Sequence, residues 1–106
     1  MEEFPIYVHY GLAGFTLKCE MEYESEQIMR IRVHGKNNSI VLQNNYPILK
    51  HTNSKKAMSW KLIEGSFDSK DKKRDAELLY EIMSELEDVI KGKNPNSLID
   101  YLRSKK

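Results

Sequence analysis

A chain of 106 residues with 17 Lys+Arg against 16 Asp+Glu has room for one domain, here read as residues 1–106, and carries a formal net charge of +1. Hydrophobic residues at 40% and charged residues at 31% describe a globular chain and exclude a disordered one. The near-neutral balance excludes a strong whole-molecule field, so gross charge nominates neither a nucleic acid nor an anionic membrane as partner.

The start, Met1-Glu2-Glu3-Phe4-Pro5, lacks the basic residues and apolar run of a secretion signal. No apolar stretch approaches the ~20 residues of a membrane span, so a cytoplasmic chain without a membrane partner is expected. From about residue 4 to residue 64 hydrophobicity alternates with period two, the pattern of half-buried strands. Phe4, Ile6, Val8 and Tyr10 make one face of the first strand, with Tyr7 and His9 on the other. Gly11-Leu12-Ala13-Gly14 reads as a turn. Phe15, Leu17, Cys19, Met21 and Tyr23 then alternate with Thr16, Lys18, Glu20, Glu22 and Glu24. The third strand sets Met29, Ile31 and Val33 against Arg30, Arg32 and His34. Gly35-Lys36-Asn37-Asn38 is a hairpin loop, because Gly and Asn tolerate positive φ. Ile40 and Leu42 continue the apolar face, Asn44 and Asn45 interrupt it, and Tyr46-Pro47-Ile48-Leu49 resumes it as strand. After a polar loop, Met58 to Glu64 forms the last strand, with Trp60 aligned to Ile48 and buried.

Face must meet face in an antiparallel pair, which sets the registers. Val8 falls opposite Leu17, Cys19 opposite Val33, Val33 opposite Ile40, and Ile31 opposite Leu42. The same logic places Glu22 opposite Arg30 and Glu20 opposite Arg32, a charge ladder on the outer face. Pro5 assigns the first strand to a sheet edge, where its missing N–H removes no ladder bond.

From about residue 71 to 91 the period becomes helical. Ala76, Leu79, Ile82, Met83, Leu86, Val89 and Ile90 share one stripe, with Ser69 or Asp71 as N-cap and Gly92 as the stop. Asn94-Pro95 opens a short final helix over about 95–103. The expected fold is therefore α+β in two layers, an antiparallel meander of four to five strands with one face covered by the C-terminal helices. The order of strands then helix resembles small single-stranded-nucleic-acid binders of the Whirly and PUR type, in element order alone.

Little in the chain points to chemistry. His9, His34 and His51 show no paired metal-ligand spacing, and there is no C-x-x-C, nucleophile elbow or phosphate loop. Cys19 lies on the buried face, where a thiol is inert. No metal, cofactor or catalytic residue is expected, and the chain is not read as an enzyme. Two groups are candidates for binding. Tyr7, His9, Lys18, Arg30, Arg32 and His34 lie on the open sheet face. Lys70, Lys72, Lys73 and Arg74 crowd the helix start against its dipole. The expected function is a small non-catalytic module that binds a protein, with a weak homodimer through residues 4–10 as one form. The alternative is a module for single-stranded nucleic acid, using the open face or the basic helix start.

Overall fold

The computed structural model describes residues 3–10, 12–35, 38–66 and 71–92. It shows an α+β fold. Strands β1 (Glu3–Tyr10), β2 (Ala13–Glu24), β3 (Met29–His34), β4 (Ser39–Asn44) and β5 (Trp60–Glu64) form one antiparallel meander in the order β1-β2-β3-β4-β5. A short helix, α1 (Tyr46–His51), lies between β4 and β5, and a long helix, α2 (Lys72–Ile90), follows the sheet. The chain divides into two compact units. One holds Met1–Glu3 and Cys19–Ser66, the other Phe4–Lys18 and Phe67–Lys106.

In the first unit, the β3–β4 register follows from the alternation. Val33 pairs with Ile40 and Ile31 with Leu42, so two apolar rows face the same way. Gly35 N–H closes the hairpin onto the carbonyl of Asn38 at 2.7 Å. Cys19, Met29, Ile31, Val33, Ile40 and Leu42 are all buried, joined by Met58. Enclosing side chains such as Ile31 and Leu42 is worth roughly 1.5–3 kcal/mol each, so this central pair contributes substantially to the unit's stability.

Three expectations fail in this unit. Tyr46 to His51 is helix, not strand. Asn44 Oδ1 accepts the Tyr46 N–H at 2.9 Å, a side-chain turn that ends the extended backbone, and Pro47 in the first helical turn has no N–H to lose. Trp60 consequently pairs with Asn44, not with Ile48, and is half-buried. Tyr23 is half-exposed instead of buried, with the Arg30 guanidinium 5.4 Å from its ring centroid. The β2–β3 turn follows directly after it in the chain. Ser25 Oγ accepts the Gln27 and Ile28 N–H groups while Ser25 N–H donates to the Ile28 carbonyl. This tight closure sits next to Tyr23, and the guanidinium holds the ring by a cation–π contact.

The second unit contains β1, the first part of β2, and α2. β1 buries Phe4, Ile6 and Val8, and α2 buries Ile82, Leu86 and Val89. Ala76, expected on the buried stripe, is exposed, because it lies one turn too early. Asp71 caps α2, its side chain accepting from the Lys73 and Arg74 N–H groups at 3.1 Å. Gly92, at φ 67, ends it in the left-handed conformation that stops helices. The alternative cap Ser69 and the short helix over 95–103 lie outside the described residues.

Candidate interaction surfaces

The outer face of the first unit is a set of rows running across the strands. Arg30, Gln43 and Lys61 share one row, and Arg32, Val41 and Glu64 share the next. Arg32 is the hub. Its Nε donates to Glu22 Oε1 at 2.9 Å, its Nη1 to Ser39 Oγ at 2.7 Å, and its Nη2 to Glu64 Oε2 at 3.1 Å. The hydrogen bond to Glu22, with that carboxylate's charge and the weaker contribution of Glu64, holds the guanidinium pKa above its ordinary value. Arg30 Nε donates to Gln43 Oε1 at 2.9 Å while its guanidinium lies over Tyr23.

These contacts correct the expected ladder. Arg32 meets Glu22, not Glu20, and Glu20 faces His34, with Nε2 to Oε2 at 3.7 Å. The partners are offset by two residues along β2. Val41 shares the outer-face row of Arg32 and Glu64 yet is buried, because those two side chains close over it. An arginine bonded to three neighbours is a poor ligand for an incoming phosphate, since it must first give up internal bonds. Arg30 and Arg32 are therefore part of the face's own structure.

In the second unit Tyr7 is 51% exposed and its ring meets His9 edge-on, centroids 4.7 Å apart. The Tyr7 hydroxyl end lies against Gly14 on β2, so closely that a side chain at Gly14 would collide with it. A tyrosine laid across a strand glycine in this way covers the backbone that the glycine leaves bare. Lys18 is exposed. At the helix start, Lys72, Lys73 and Arg74 are exposed as expected, and Lys70 lies outside the described residues. The first-turn N–H groups of Lys73 and Arg74 are occupied by Asp71, which places the chain's own carboxylate where an anion would bind.

Cys19 is fully enclosed, and burial pushes its thiol up to about 12, far from a reactive thiolate. Among the described residues no group of three or more His, Cys, Asp or Glu side chains is placed to hold a metal ion. No helix among them is long and apolar enough to cross a membrane.

One charged feature escapes a strand-by-strand reading. From Val33 to Ile63 the chain has no Asp or Glu, while it carries Lys36, Lys50, Lys55, Lys56 and Lys61. The near-neutral total hides this segregation, and a running charge count along the chain exposes it.

Comparison with known proteins finds no matching family model, no similar characterised protein and no similar solved structure.

Proposed function

We propose that this chain is a non-catalytic binding module that acts through β1, accepting a protein strand alongside it, in the simplest case β1 of a second copy. The observation that carries the reading is the character of the two sheet edges. Among the described residues β1 has one neighbour in the sheet, β2, and no described strand pairs with the backbone N–H and C=O groups of its other side. It runs for eight residues and has no charged side chain from Phe4 to Tyr10. Pro5 interrupts the donor row at one end only.

The opposite edge is managed differently. β5 has five residues, its register with β4 slips between Val41 and Leu42, and it carries Lys61 and Glu64. Shortness, a bulge and charge are the usual devices against strand addition. β1 is neither short nor charged from Phe4 to Tyr10. A strand whose only charge is Glu3 at one end can pair with its own antiparallel copy without like charges meeting, which suits a two-fold partner. A reducing, cytoplasmic setting suits a chain whose one cysteine is a buried thiol.

The experiment is sedimentation of the wild type, Tyr7→Lys and His9→Lys over a range of concentrations. Both side chains are exposed and lie off the buried row of Phe4, Ile6 and Val8, and a thermal midpoint checks that each variant is folded, since Tyr7 also packs on Gly14. The expected result is a mass that rises with concentration in the wild type, insensitive to salt, and a monomer in the variants. A wild type that stays monomeric throughout removes self-association, and strand capture by another protein then has to be shown directly.

A further inference from the structure

β4 and β5 are antiparallel neighbours, and two to five residues are enough to join such a pair. This chain spends residues 45–59 on the connection. Closing a longer connection costs conformational entropy that the sheet does not require. Here the excursion is ordered and folded back on itself. Ser59 N–H donates to Asn45 Oδ1 at 2.8 Å, which joins its two ends. Inside, Thr52 N–H returns to the Ile48 carbonyl at 3.0 Å and Ser54 N–H to the Leu49 carbonyl at 2.8 Å, with Asn53 left-handed at φ 54. Lys56 N–H donates to Ser54 Oγ at 3.2 Å. A compact loop with joined ends and its own helical turn is an Ω-type loop, a frequent carrier of function.

Its surface has one sign of charge. Lys50, His51, Lys55 and Lys56 are all exposed, and Lys61 follows on β5 beside the row of Gln43 and Arg30. The four lysines meet no carboxylate among the described residues. Between the lysines the exposed residues are small or polar: Thr52, Asn53, Ala57 and Ser59. The apolar members Tyr46, Ile48, Leu49 and Met58 are buried or half-buried.

We propose that the 45–59 excursion, with Lys61, is a surface for the phosphate backbone of a nucleic acid, bound without regard to base sequence. The chemistry of the patch separates this occupant from the others. A protein partner is anchored by exposed aromatic, Arg or other large side chains, and lysine is depleted in such interfaces. This excursion exposes lysines and no such anchor. An anionic membrane is held by cations together with apolar side chains that insert, and those of the 45–59 excursion are buried or half-buried, the exposed apolar residues nearest the lysines being Leu62 and Ile63 on β5. Flexible lysine point charges with hydroxyl and amide donors between them are what backbone-directed phosphate binding uses. The site includes neither the open-face residues Tyr7 and His9 nor the helix-start cations Lys72, Lys73 and Arg74, and it stands independently of the edge-strand reading because β1 belongs to the other unit.

The test is fluorescence anisotropy with a labelled single-stranded oligodeoxynucleotide of about 20 nucleotides, in salt from about 50 to 200 mM. Three or four phosphate contacts give a slope of log affinity against log salt of about −2 to −3, a loss of roughly 16- to 60-fold over that range. Replacing Lys50, Lys55 and Lys56 together by Gln is expected to weaken binding about tenfold or more and flatten the slope. Replacing Lys72, Lys73 and Arg74 together by Gln is expected to leave both unchanged. All six positions are exposed, and matched thermal midpoints check that each variant is folded. Polyglutamate of equal charge is expected not to displace the oligonucleotide. Absence of salt-dependent binding, equal affinity in the Lys50/Lys55/Lys56 variant, or displacement by polyglutamate each overturns the proposal.

Discussion

Arg32 on β3 and Glu64 on β5 have a whole strand between them, yet their side chains meet at 3.1 Å. They meet over Val41, which is the register partner of both. Val41 is 2% exposed as a result, on a face that carries mostly polar side chains. The slip between Val41 and Leu42 makes the contact possible. Leu62 and Glu64 stand two apart on β5, but their partners Leu42 and Val41 are adjacent on β4. One extra residue in β5 therefore turns Glu64 to the outer face, toward Arg32.

A double-mutant cycle tests this network. Arg32→Ala is expected to lower the thermal midpoint more than Glu22→Gln or Glu64→Gln, because it uncovers Val41 and strands two carboxylates at once. Coupling is expected between positions 32 and 22 and between 32 and 64, with none between 32 and 20. Coupling of Arg32 to Glu20 in place of Glu22 would restore the register that alternation alone suggested.

Cys19 gives a second prediction. Its thiol is fully enclosed, with burial raising the pKa from 9.0 to about 12. A thiol-specific reagent at pH 8 is expected to leave the native protein unlabelled for hours and to label it at once in denaturant. Linkage gives a pH dependence as well. The folded pKa lies above the unfolded one, so the contribution to stability is complete below pH 9 and is lost between pH 9 and about 12. Rapid native labelling would mean that the thiol is not enclosed.

Asn44 is 1% exposed, and its Nδ2 has no hydrogen-bond partner among the described residues while its Oδ1 holds the turn into α1. Asn44→Asp keeps the acceptor and places a carboxyl where charge has no compensation. The expected cost at pH 7 is about 3 kcal/mol or more by denaturant unfolding. Burial raises the folded pKa of that carboxyl above its unfolded value of about 3.9, so the penalty fades below about pH 4. A loss of stability that is the same at both pH values would show that Asn44 reaches water.

Gly65 and Gly92 share a positive φ and differ in surroundings. At Gly65, φ 88, an added Cβ would run into the Ser39 carbonyl and come within 3.0 Å of Ile40 Cα. At Gly92, φ 67, it would meet nothing within 4 Å. Gly92→Ala is expected to cost the backbone term alone, about 1–2 kcal/mol. Gly65→Ala adds a collision with β4 backbone and is expected to cost distinctly more in the same unfolding assay. Equal losses would place β5 further from β4 than the register implies.

Where side-chain identity and spacing alone decide the outcome, reading the sequence was enough. The stripe from Leu79 to Ile90, the Asp71 cap and the Gly92 stop define α2, because helix period and end chemistry are local. The pairing of β3 with β4 follows from matching Ile31 and Val33 to Leu42 and Ile40, since a slip by one residue would turn every apolar side chain to the wrong face. The six residues of α1 are too short for a period to show, and the Asn44-Asn45-Tyr46-Pro47 run that signals its start resembles an interrupted strand equally well. Tertiary structure decided the rest. Whether Arg32 reaches Glu20 or Glu22, whether Tyr23 faces in or out, and whether Val41 is covered all depend on a turn closure and a bulge that move side chains by one or two positions. Alternation has a period of two and is blind to such an offset, which is why the elements were legible in the chain and the contacts across its outer face were not.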